Sequence, residues 1–326
     1  CSIARVNKCR ITNVAGRGIM VTGSAGVIIT NNELWGNEGD GTGPSPHASD
    51  EDIHILSDFT TNPGPPAVPI ESREVIIENN LCLSNNHGGI YLVQIGASFR
   101  VNNNTVVSYL GNDPYNNGEA SLSTNNQRKE CITLAYDTDE FKPGEVQHEC
   151  TCVGNTCRNS QWSAVYCNNN TSTAENPGGV KATITANQIS NVCLEDGVGL
   201  SGWKRNGITL EAFRDFVVSS NMIDKIGQAA AGEDPHGGIQ IATSWHRTPK
   251  DPPTNSGKRS YGVVTGNNIS DVNGQGIKLA NRINDLVVSN NVVTECTEEM
   301  LLLTPRSADS DSRFSSLTIQ GNRFVS

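Results

Sequence analysis

Nothing in this chain of 326 residues sustains apolar residues at helical spacing, and no heptad runs through it. Helical bundles and coiled coils are excluded, since both need an apolar stripe every three to four residues. No apolar run approaches the ~20 residues of a membrane-crossing helix, so no membrane span is expected. Positive charge is in deficit: 24 Lys and Arg stand against 34 Asp and Glu, for a net charge of −10. That balance argues against a nucleic-acid partner, which calls for clustered cations to neutralise phosphates. It also disfavours strongly anionic glycans. There is no CxxC pair and no His/Cys cluster, hence no expected zinc or other metal site. No signal peptide is present from which to read a compartment.

What the chain does contain is a repeat. An apolar residue, then Asn three positions on, then another apolar residue two beyond it, recurs from end to end. The Asn register falls on Asn32, Asn80, Asn104, Asn155, Asn187, Asn221, Asn267, Asn291 and Asn322, with Cys9 in the same place at the start. Every flanking position is apolar or Cys, from Val6 and Ile11 around Cys9 to Ile319 and Phe324 around Asn322. Period-two apolar positions mark strands, and Asn suits tight bends because its amide bonds the local backbone and tolerates left-handed angles. Copies about 23 to 24 residues apart at the shortest put the same apolar set inward each time. They stack in parallel, turn upon turn, with Asn side chains in a ladder. The expectation is one all-β solenoid over residues 1–326, of about ten coils. Neither end carries a polar cap, so the chain reads as a fragment of something longer.

Each coil has a further strand of the form Gly-Ile-x-Leu, as in GIMV (18–21), GIYL (89–92), GITL (207–210) and GIKL (276–279). Its apolar pair points inward and the residue between points out. The outward column is Met20, His54, Tyr91, Thr133, Tyr166, Thr209, Gln240, Lys278 and Leu302. Extra chain length falls just before or just after this strand, never between the Asn position and the strand that follows it. Two rows of long loops beside one sheet make a groove.

The Asn ladder and the Gly-Ile-x-Leu strands together resemble the pectate-lyase-like superfamily of single-stranded right-handed parallel β-helices. That resemblance implies a saccharide along the outer face of the Gly-Ile-x-Leu sheet. The superfamily holds polysaccharide lyases, glycoside hydrolases, epimerases and phage tailspike depolymerases, so it does not choose the reaction. EDPHGGI (233–239), containing Asp234 and His236, is similar to the Asp-Pro-His of alginate epimerases but lacks their preceding Tyr-Gly.

The chemistry therefore has to come from groove-facing side chains. Hydrolysis needs two carboxylates. Asp137 follows the fourth coil's strand and Glu211 lies in the outward register of the sixth, and two rungs give roughly 9 to 10 Å, which suits an inverting pair. Asp234 approaches from a preceding loop. Elimination instead needs a base beside a uronate carboxyl, for which Tyr166, His54, Lys278 and His236 stand available, with Ca2+ as the neutralising cation in that case and no cofactor otherwise. Tyr91, Thr133, Thr209, Gln240 and Arg282 are expected to hold substrate, and Trp203 and Trp245 to stack on sugar faces. The expectation is a polysaccharide depolymerase, hydrolase or lyase, extracellular or virion-associated, as a homotrimer if it is a tailspike body. The alternative is a non-catalytic carbohydrate-binding, adhesin or structural shaft. Cys82, Cys152, Cys157 and Cys167 fall on inward positions, where a thiol behaves as a small apolar group, and free buried thiols are expected.

Overall fold

The computed structural model describes residues 3–12, 14, 17–35, 52–56, 74–83, 88–93, 98–107, 130–136, 148–160, 162–169, 180–193, 205–211, 213, 215–227, 236–242, 261–280, 285–304 and 316–326. Their strands form three parallel sheets of ten, ten and nine strands. One coil gives one strand to each sheet in turn. In coil 3 these are Glu74–Glu78, Leu81–Leu83 and Ile90–Val93. Each strand then pairs in parallel with its counterpart one coil on, as Ile76 does with Arg100 and Cys82 with Val106. Every paired strand therefore leads to its neighbour only after a full circuit of the other two sheets, which is the topology the repeat predicts. No helix occurs among the described residues.

The corner between the first and second sheets explains why asparagines come in pairs. The residue before each ladder position is left-handed: Asn31, Asn79, Asn103 and Asn290 have φ between 55° and 58°. Glycine takes the same place at Gly154, Gly266 and Gly321. Asn and Gly are the residues for which that backbone costs least. The two asparagines of a pair thus divide the labour: the first makes the bend, the second faces inward. Sequence reasoning had assigned both tasks to the second.

Inside, the ladder is continuous. Asn80 Nδ2 donates to Asn104 Oδ1 at 2.9 Å, Asn104 to Asn155 at 3.0 Å, and the chain of amides runs on from Asn32 to Asn322. Each of these amides also donates to a first-strand carbonyl one coil back, such as Asn104 Nδ2 to Ile77 O at 2.9 Å. Each carbonyl oxygen also accepts the backbone N–H of the preceding ladder residue, and Asn32 Oδ1 accepts that of Cys9. These buried polar groups are satisfied by one another, so the corner carries no desolvation penalty.

The remaining interior is one contiguous apolar cluster of aliphatic side chains with Phe99, Phe213 and Phe216 and six wholly buried or nearly wholly buried thiols lying in the same cluster as Cys82. Where the third-sheet strand begins, the interior narrows. The residue before the strand's first inward Ile sits against the second sheet of the next coil: a Cβ placed on Gly89 would lie 2.2 Å from Val106 Cγ1, on Gly238 2.6 Å from Ile269 Cγ2, and on Gly276 2.4 Å from Val293 Cγ1. The glycine of Gly-Ile-x-Leu is therefore there for space, because real Cβ atoms do not approach so closely.

Candidate functional site

The outward column is a real alignment. Met20 pairs with His54, His54 with Tyr91, Tyr91 with Thr133, and so on through Tyr166, Thr209, Gln240 and Lys278 to Leu302. None of these residues belongs to the main apolar cluster, so all stand on the far side of the third sheet from the core. Only the ends of the column are open, however. Met20 is 49% exposed and Lys278 is half-buried, whereas His54, Tyr91, Thr133, Thr209 and Gln240 are buried and Tyr166 is 9% exposed. The expected open groove is thus shielded along its middle.

Within that shielded stretch the side chains are tied together. Tyr166 Oη donates to Glu211 Oε2 at 2.9 Å and accepts from Asn168 Nδ2 at 2.9 Å. Glu211 comes from the next coil, three positions beyond Ile208, and is 8% exposed. Burial, and then the charge and hydrogen bond of Glu211, push the Tyr166 phenol well above its ordinary value. Tyr166 stands as a hydrogen-bond donor to the Glu211 carboxyl. At the N-terminal side of the sheet His54 and Tyr91 meet edge to face, with ring centroids 4.8 Å apart.

A second group went unnoticed in the sequence. Two residues before the inward Ile or Val of coils 4, 5 and 6 stand Glu130, Ser163 and Asn206, all buried. Ser163 Oγ lies 3.3 Å from Thr209 Oγ1, and Asn206 donates to the same hydroxyl at 2.9 Å and, through its backbone N–H, to Ser163 Oγ at 3.2 Å. These bend residues thus fold over the outer face and reach the column. Glu130 does so electrostatically: its charge adds to the upward push on Tyr166 and acts on the Cys193 thiol, where Arg205 acts in the opposite sense. Glu130 lies level with Ser163 and Asn206, five positions along the strand from Glu211, so of the two carboxylates Glu211 is the one that meets Tyr166 directly. A bend position carries no apolar periodicity, so nothing in the repeat pattern marks Glu130.

The other expected site residues are placed as follows. His236 opens the strand His236–Ala242 and pairs with Gly274. Asp137, Asp234, Trp203, Trp245 and Arg282 lie outside the described residues, as does most of the extra loop length. Trp162, a further aromatic near the third sheet, is buried, and its carbonyl accepts from the Cys193 backbone at 3.1 Å. Among the described residues, no three His, Cys, Asp or Glu side chains are grouped to hold a metal ion, and no helix is long and apolar enough to cross a membrane.

Residues 1–132 match the family model described as right handed beta helix region. No curated protein and no solved structure matches the chain. The stacked parallel sheets extend the same architecture to residue 325. The chain is a right-handed parallel β-helix with an Asn ladder, a fold with which the pectate-lyase-like superfamily is compatible.

Proposed function

We propose that this protein is a polysaccharide-degrading hydrolase whose site lies on the outer face of the third sheet, around Glu211. The fold supports a polysaccharide-active or carbohydrate-binding protein in general terms. The observation that carries the finer reading is the Glu211 carboxyl, held at the outer face of the sheet by Tyr166 Oη at 2.9 Å. The second carboxylate of the proposal is Asp137, which follows the coil-4 strand in sequence; two rungs give roughly 9 to 10 Å along the stack, a separation that leaves room for water and favours inversion. One carboxyl protonates the leaving oxygen while the other takes a proton from the attacking water. Tyr166 holds Glu211 in place and Asn168 holds Tyr166. Secretion or attachment to a virion, and assembly as a homotrimer, are parts of the same proposal, the latter readable by sedimentation.

The test is a digestion panel of capsular, O-antigen, pectic and alginate polysaccharides with the wild-type chain and Glu211→Gln. New reducing ends without absorbance from unsaturated uronate, lost in Glu211→Gln, are expected. New absorbance would overturn hydrolysis in favour of elimination, with Lys278 and His54 the next residues to change. A second reading, a carbohydrate-binding or structural shaft, is favoured by the burial of the column's middle. It predicts glycan binding with no product from any polysaccharide.

A further inference from the structure

The narrow step between the third sheet of one coil and the second sheet of the next is filled by a rule. The residue before the first inward Ile or Val of the third-sheet strand is Gly89, Ala164, Gly207, Gly238 or Gly276, and the second-sheet residue one coil on is Val106, Ile189, Ile223, Ile269 or Val293. Small faces large, because a Cβ and a branched side chain do not fit together there. The rule breaks at Asp52 and Cys82 from coil 2 to coil 3 and at Met300 and Phe324 from coil 9 to coil 10, and from coil 4 to coil 5 the two positions are both cysteines, Cys131 and Cys157. Both are buried and both are free thiols in the structure.

The spacing of this step is that of a disulfide. One coil earlier, a Cβ on Gly89 would lie 3.3 Å from Val106 Cβ. Bridged cysteines have Cβ atoms roughly 3.5 to 4.5 Å apart, so a step of this kind holds two sulfurs with only a small outward shift. The Cys131 sulfur is already aimed across it. Sγ lies 3.9 Å from the carbonyl oxygens of Val106 and of Arg158, the first paired with Cys157 across the sheet and the second next to it in sequence. A hydrogen bond between the two thiols is the largest influence on Cys157.

We infer that Cys131 and Cys157 are the two halves of an intramolecular disulfide, formed when the chain folds in the presence of a small-molecule disulfide oxidant, that stitches coil 4 to coil 5. The exchange balances with glutathione disulfide. One protein thiolate attacks a glutathione sulfur and releases one glutathione; the second protein thiol then attacks the mixed disulfide and releases the other. Two protein thiols are oxidised, one glutathione disulfide is reduced, and two glutathione thiols carry away the protons. Timing follows from burial, which holds the Cys157 thiol in its unreactive protonated form once the coils have closed. The bond is made while coil 5 is docking on coil 4. Its position matters for the outer face: Cys131 adjoins Glu130 and immediately precedes the strand that carries Thr133, and coil 5 carries Tyr166. The stitch fixes the step on which those residues face one another.

The experiment is refolding of the whole chain from denaturant in a mixture of oxidised and reduced glutathione, and in reductant alone, followed by acid quench, alkylation and peptide mass mapping without reduction. One cross-linked pair containing Cys131 and Cys157, lighter by two hydrogens than the reduced peptides, is expected from the oxidised sample only. Its thermal midpoint is expected above that of the reduced sample. Alkylation of both cysteines after oxidative refolding overturns the inference, as does linkage of either one to a different cysteine. Cys131→Ala, which places in coil 4 the residue that coil 5 already has at Ala164, is expected to abolish both the link and the difference in midpoint. The wild-type map decides the question even where that variant does not fold. Neither outcome depends on whether a glycan is cleaved.

Discussion

Replacing Asn187 by Ala isolates the ladder's contribution at its centre. The side chain is wholly buried, and its carbonyl oxygen accepts from Asn155 N at 3.0 Å and from Asn155 Nδ2 at 3.0 Å. Its amide donates to Cys152 O and to Asn221 Oδ1, each at 2.9 Å. Alanine removes all four bonds. Asn221 Oδ1 keeps the Asn187 backbone donor. The Asn155 N–H is left stranded where water does not reach, while Asn155 Nδ2 keeps Val101 O and Cys152 Sγ, the latter at 3.3 Å. A buried unsatisfied donor costs about 1–3 kcal/mol and each further lost bond about 1 kcal/mol, so the variant loses about 4 kcal/mol, near the upper end of single substitutions. Asn322→Ala at the last coil likewise strands the Asn291 N–H, but Asn322 is only partly buried and water can replace it there. Its cost is about 1–2 kcal/mol. Urea denaturation reads the totals, and hydrogen exchange at the Asn155 amide reads the local loss. Equal costs at the two positions, or a cost below about 1 kcal/mol at Asn187, would refute the view that burial turns each ladder bond into a large term.

Other expectations follow from the same geometry. Gly238→Ala puts a Cβ 2.6 Å from both Gly276 O and Ile269 Cγ2; it should cost about 1–3 kcal/mol in a thermal melt, and a neutral result would show that the step is wider than described. Tyr166→Phe keeps the ring but removes the donor to Glu211 and the acceptor for Asn168; a loss of about 1–3 kcal/mol is expected, with a matching fall in any glycan-cleaving rate, and an unchanged rate would detach Tyr166 from the chemistry. Burial raises the thiols of Cys152 and Cys193 above their ordinary value of 9.0, and Cys296 to about 11. Above about 9 the unfolded chain therefore sheds thiol protons that the folded chain keeps, and stability falls as pH rises from there. Denaturation midpoints between pH 8 and pH 11 should decline, and a flat profile would contradict buried, protonated thiols.

The fold was legible because its cause is periodic. Every ladder asparagine from Asn32 to Asn322 was placed by spacing alone, and the column from Met20 to Leu302 was placed residue for residue. Even Cys9 keeps its place, its backbone donating to Asn32 Oδ1 at 2.9 Å. The split of each Asn pair into a bend and a ladder residue was not legible, since both are asparagine. Shielding of the column was not legible either, because alternation tells which side of a strand a residue takes and not what covers that side. Glu130, Ser163 and Asn206 were missed because a bend position obeys neither the strand period nor the Asn register. Asp52 has a similar history. It stands where other coils carry glycine, faces Cys82 and is completely buried, and the outward column passes through its strand at His54 without marking it.

The ladder also gives the molecule an electrical direction. Every link runs from the amide of an earlier coil to the carbonyl of a later one, from Asn32 onward, with none reversed among the eight. Side-chain dipoles aligned head to tail add as peptide dipoles do in a helix, and each link polarises the next. The positive pole lies at coil 10, where Asn322 presents its amide, and the negative pole at coil 2. Asp in place of Asn322 would keep both acceptor contacts to Asn291 and set a negative charge at the favourable pole, at the cost of the amide's bond to Val288 O at a partly buried end. Asp in place of Asn32 would press a carboxylate against Asn80 Oδ1. One substitution, made at opposite ends of the same column, should be tolerated at the last coil and damaging at the second.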